Sequence, residues 1–142
     1  MNLIGDWTSR FAWPNVATEW GIGRACSIGA AALLWIALTY IIALVDALSG
    51  SDLLGNGANE GLVGALALSS LCGGVAATIY LAVRIKLQHC PLAAWVSFLW
   101  IGYGAINTLL GIAPNSPAIF LILTFASFQG VRGCTTYREA ST

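Results

Sequence analysis

Three stretches of this chain carry no charged residue: 25–45, 61–83 and 89–131. A helix needs roughly 20 apolar residues to cross the hydrocarbon core of a bilayer, so each gap is long enough for at least one crossing. Composition points the same way. The 142 residues are 58% hydrophobic and only 8% charged, with a mean hydropathy of +0.80. Soluble domains run near one-quarter charged, so this chain lacks the polar groups that would coat a surface in water.

The longest gap cannot be one helix. Pro114-Asn115-Ser116-Pro117 interrupts it, and paired prolines around Asn-Ser break helical hydrogen bonding and favour a turn. Splitting the gap there predicts four spans at about 25–47, 62–84, 92–112 and 117–133, the last two forming an antiparallel hairpin. Only helices or closed barrels satisfy every backbone group in lipid. The expected fold is therefore an all-α integral membrane protein, a four-transmembrane-helix bundle. Residues 1–24 read as a cytoplasmic interfacial segment and 135–142 as a cytoplasmic tail.

Arginine and lysine set the orientation. Arg10 and Arg24 precede the first span, Arg84 and Lys86 separate the second from the third, and Arg132 and Arg138 follow or close the fourth. The connections at 47–60 and 113–116 have no basic residue, whereas Asp46, Asp52 and Glu60 lie in or beside the first of them. A four-span path gathers all the positive charge on one side, and basic loops remain cytoplasmic. Both termini are then expected in the cytoplasm, most simply at a bacterial inner membrane. The start does not read as a secretory signal, because its apolar run follows Arg24 rather than an early basic cluster.

The first dozen residues alternate at helical spacing. Leu3, Ile4, Trp7 and Phe11 fall on one side, with Asn2, Asp6, Ser9 and Arg10 around the rest. This pattern predicts an amphipathic helix lying in the interface, with Trp7, Phe11, Trp13 and Trp20 as anchors at headgroup depth.

Within the spans, the most regular pattern is on the second. Gly61, Ala65, Ser69, Gly73 and Ala77 recur at every fourth position, so one helix face is small throughout. Such faces let helix backbones approach closely in lipid, whether the neighbour belongs to the same chain or another. Asp46, Asn107, Gln129 and Arg132 are the polar intramembrane candidates. Ionisable groups at such depth are functional candidates by default, although Asp46 also suits the water boundary.

Other chemistry is poorly supplied. The single histidine, His89, falls between spans, leaving no axial ligand for haem inside a helix, and no zinc or di-iron ligand set is spaced for binding. No cofactor or metal is expected. No Ser–His–acid set, phosphate loop or dinucleotide fingerprint is present. Of the four cysteines, Cys26, Cys90 and Cys134 fall at the reducing face and Cys72 within a span, so a disulfide framework is not expected. Zero net charge and no basic run argue against a nucleic-acid partner.

The expected function is that of a non-catalytic accessory or assembly subunit packing against partner transmembrane helices. Its expected partners are membrane lipid and either other membrane-protein subunits or copies of itself. The alternative is a homo-oligomeric channel or transporter for an ion or small solute, with Asn107, Asp46, Gln129 and Ser/Thr groups lining a path at a subunit interface.

Overall fold

The computed structural model describes residues 13–49, 61–111 and 116–140, with side chains from 64 onward in the second stretch. All four elements are helices: α1 (Glu19–Ser49), α2 (Gly61–Gln88), α3 (Pro91–Leu109) and α4 (Pro117–Ala140). Each is long and apolar enough to cross a membrane, and by length and composition the chain is a multi-pass membrane protein. Large apolar side chains point outward along them, among them Ile42, Val45, Leu66, Leu99, Ile106 and Ile122. The interfacial helix expected at the N-terminus, with Trp7 and Phe11, lies outside the described residues.

Several helix boundaries differ from the charge-gap reading, and α2 runs on to Gln88 rather than stopping near 84. α1 opens at Glu19 rather than near 25, because Thr18 caps it. The Thr18 hydroxyl oxygen accepts the amide of Gly21 at 3.1 Å and the hydroxyl itself donates to the Asn15 carbonyl at 3.2 Å. A capping threonine satisfies one of the orphan amides of a first turn, and Glu19 behind it suits the positive end of the helix dipole. α3 stops earlier than 112: Gly111 turns left-handed at φ +72°, and its amide reaches the Thr108 carbonyl at 3.1 Å. α4 runs through the expected tail to Ala140. Charge gaps locate the apolar part of a helix, and these helices continue into polar sequence beyond it.

The chain divides into two compact units, one ending at Leu33 and resuming at Leu81, the other spanning Leu34–Tyr80. In the first, α3 and α4 pack as an antiparallel hairpin. His89 stacks on Tyr137 with ring centroids 4.3 Å apart, Phe98 meets Phe128 at 5.7 Å, and Gly104 lies under the Phe120 ring. Rising numbers on one helix meet falling numbers on the other, as the Pro-Asn-Ser-Pro turn predicts.

The start of α1 crosses the end of α4 in the same unit. A Cβ added at Gly29 would lie 2.6 Å from the Gly130 Cα, and one at Gly133 only 2.8 Å from the Cys26 sulfur. These backbones touch, which only glycine permits. Ile85 of α2 closes the same place, buried with Ala25, Cys26 and Cys134.

The second unit holds the rest of α1 and the first part of α2. There the Tyr40 ring lies against Gly74, 3.0 Å from where a Cβ would stand.

Hydroxyls inside the helices turn back on their own backbone. Ser97 donates to the Ala93 carbonyl at 2.7 Å, Thr108 to Gly104 at 2.8 Å, and Thr124 to Phe120 at 2.7 Å. In hydrocarbon this pairing spares each hydroxyl a desolvation penalty. No buried side-chain nitrogen or oxygen among the described residues lacks a partner.

Candidate functional site

Two features stand out among the residues singled out above. The first is a polar and aromatic cluster at the basic end of the first unit. Trp13 precedes the Thr18 cap, and its ring lies 5.9 Å from Phe125 and 6.5 Å from Phe128. The Arg132 guanidinium sits over that indole at 3.8 Å, within cation–π range. Its Nη1 also donates to the Gln129 side-chain carbonyl at 2.7 Å, one helical turn back. Gln129 has no exposed surface. The fourth span thus carries its charge as a supported group: a buried amide below, an aromatic face above.

Further contacts gather at this end. The Lys86 ammonium donates to the Ser27 hydroxyl, an Arg84 guanidinium nitrogen lies 3.9 Å from the Cys90 sulfur, and Arg24 stands 4.8 Å above the Trp20 ring. With the α1–α4 crossing, these contacts bring Arg24, Arg84, Lys86 and Arg132 to one end of the unit. The link between α2 and α3 is short. His89 adopts φ +48° and the Cys90 amide reaches the Arg84 carbonyl at 3.2 Å, ahead of Pro91 in the first turn of α3. The Cys90 thiol is held below its ordinary range, first by the Ala93 amide and, against the opposing effect of burial, by the Arg84 charge.

The second feature is the small face of α2. Ala65, Ser69, Gly73 and Ala77 are all exposed, and nothing stands within 4 Å of where a Gly73 Cβ would be. Gly61 is the first residue of the same helix. Among the described residues α2 buries the smallest share of its span, 11% against 28–33% for the other three. A close helix approach among the described residues uses Gly29, Gly130 and Gly133 instead, three residues that the fourth-residue pattern did not select. A signal for them exists: Ala126, Gly130 and Cys134 repeat at four-residue spacing on α4, as do Gly21, Ala25 and Gly29 on α1.

The remaining candidates are dispersed. Asp46 is half-buried in the second unit and Asn107 half-buried in the first. Trp20 is exposed, whereas Trp13 is only half so and is engaged as described. No cluster of three or more metal-ligating side chains forms among the described residues. The sulfurs of Cys26 and Cys134 lie 3.5 Å apart, both fully buried, and all four cysteines are free thiols. Compared with protein-family models, curated proteins and solved structures, the chain matches none.

Proposed function

We propose that this protein is a small, non-catalytic four-helix membrane protein that acts as an accessory or assembly subunit, packing against the transmembrane helices of partner proteins. One observation carries the reading: the bare small-residue face formed by Ala65, Ser69, Gly73 and Ala77 on α2. Lipid tails are as apolar as leucine, so a helix gains nothing by hiding ordinary apolar surface from them. Association there is driven by close backbone packing, which small faces allow. A face so regular, and exposed at these four positions among the described residues, suits a helix from another chain.

A solute path is less well supported. The hydroxyls of Ser97, Thr108 and Thr124 already bond their own helices and are poorly placed to replace a hydration shell. The clustering of Arg24, Arg84, Lys86 and Arg132 at one end supports an orientation with both termini in the cytoplasm, and a bacterial inner membrane is the setting that fits it.

The test is purification from native membranes in mild detergent, with mass spectrometry of the proteins that accompany the chain. Gly73→Leu and Ala77→Leu should each remove the co-purifying subunits while leaving the chain folded and inserted. If both variants retain every partner found with the native protein, the docking role fails. A tag near Asn56 reachable only from the cytoplasm would overturn the orientation.

A further inference from the structure

We infer that Cys26 and Cys134 form an oxidisable dithiol, a modification site at which a hydroperoxide closes a disulfide between α1 and α4. Their sulfurs are 3.5 Å apart on two helices whose backbones meet at Gly29 and Gly130, one turn away. A disulfide bond is about 2.05 Å long, so each sulfur has less than about 1 Å to travel. The missing Cβ of Gly133 allows this approach, since any side chain there would press on the Cys26 sulfur.

The surroundings distinguish the two sulfurs. Cys134 also faces the Ile85 carbonyl at 3.9 Å. Cys26 is adjacent in sequence to Ser27, where the Lys86 ammonium is bound. Cys134 carries the Ile85 contact as well as the one to Cys26, so Cys26 is the sulfur taken to attack first. Both sulfurs are fully buried. Bulky oxidants such as glutathione disulfide are excluded, whereas hydrogen peroxide is nearly as small as water.

The chemistry balances in two steps. The Cys26 thiolate attacks one peroxide oxygen; the S–O bond forms, the O–O bond breaks, and hydroxide leaves to be protonated to water. The Cys134 sulfur then attacks the Cys26 sulfenic acid. The S–S bond forms, the S–O bond breaks, and the Cys134 proton departs with the hydroxyl as a second water. The thiols lose two electrons in all and the peroxide gains them. In a reducing compartment such a bond is transient and signals oxidative conditions rather than serving as a permanent brace.

The experiment treats the full-length protein, in native membranes or mild detergent, with graded hydrogen peroxide. Remaining thiols are then alkylated under denaturing conditions and the peptides mapped. The expected result is loss of two alkylatable thiols per chain and a linked peptide pair containing Cys26 and Cys134, lighter by two hydrogens and restored by dithiothreitol. In Cys134→Ser, dimedone added with denaturant after the peroxide should trap a sulfenic acid at Cys26. Two results overturn the proposal: Cys26 and Cys134 both still alkylated at doses that oxidise Cys72 or Cys90, or a disulfide joining either one to Cys90. A dimedone adduct at Cys134 in Cys26→Ser, with none at Cys26 in Cys134→Ser, overturns the order of attack.

Discussion

Replacing Gly29 with alanine adds one methyl group where the structure has no room for it. The new Cβ would stand 2.6 Å from the Gly130 Cα and 3.0 Å from its nitrogen. Carbon atoms pack at about 3.5–4.0 Å, and the obstacle is backbone, so the two helices must part by about 1 Å at the crossing. Overpacking of this kind costs about 1–3 kcal/mol, and an unyielding backbone puts it near the upper end. Alanine recovers about 1 kcal/mol through its better helix propensity, leaving a net loss of about 2 kcal/mol. Gly73→Ala is the matched control: the chemistry is the same, but nothing lies within 4 Å of the new atom, so only the propensity gain of up to about 1 kcal/mol applies. Two identical substitutions should therefore differ by about 3 kcal/mol. The assay is unfolding of the purified chain by dodecyl sulfate in mixed micelles, followed by circular dichroism. If Gly29→Ala proves as stable as Gly73→Ala, backbone contact at Gly29 and Gly130 does not hold α1 against α4.

Three further outcomes are expected. Gly111→Ala should cost about 1 kcal/mol in the same titration despite open space around it, because φ +72° is strained for any residue bearing a Cβ; an unchanged midpoint would count against the helix stop at that residue. Gln129→Leu removes the buried acceptor of the Arg132 guanidinium and should destabilise by about 1–3 kcal/mol, with Trp13→Ala adding a smaller loss of about 1 kcal/mol from the other face of the same group. Alkylation of Cys90 tracks its thiolate, and the lowered pKa means that iodoacetamide should react in the folded protein at lower pH than in the unfolded chain; Arg84→Gln should move that profile back toward higher pH, and a folded profile at or above the unfolded one would refute the assigned cause.

Number and type of elements were legible because charge is so costly in hydrocarbon: wherever 20 residues pass without an acid or base, the chain has a helix that can span. The same argument misjudged the ends. Glu19 and Arg24 lie inside α1, and Arg132, Arg138 and Glu139 inside α4, so charge marks where the apolar stretch stops rather than where hydrogen bonding does. Only Thr18, a capping residue followed by an acid, announced the true start of α1, and it is a short signal beside a 21-residue charge-free run. The Arg132–Gln129 pair was visible as two polar residues three apart on one helix. Trp13 as its roof was not, since that contact joins distant parts of the sequence.

The small residues show why regularity alone misleads in a membrane helix. The unbroken four-residue rhythm of α2 is the most regular small-residue pattern in the chain, yet the backbone contact between α1 and α4 is made at Gly29 and Gly130, with Gly133 beside it. A helix crossing is local and needs two or three small residues on each partner where the axes meet, whereas a face small along its whole length suits a neighbour running nearly parallel over many turns. The α1–α4 contact is of the first kind and α2 is shaped for the second. This difference predicts separable phenotypes: Gly29→Ala should unfold the chain more readily while sparing partner capture by the molecules that remain folded, and Gly73→Leu should lose partners with an unfolding midpoint no lower than the native chain's. If either substitution produced both defects together, the holding of the fold and the holding of partners would not reside on different helices.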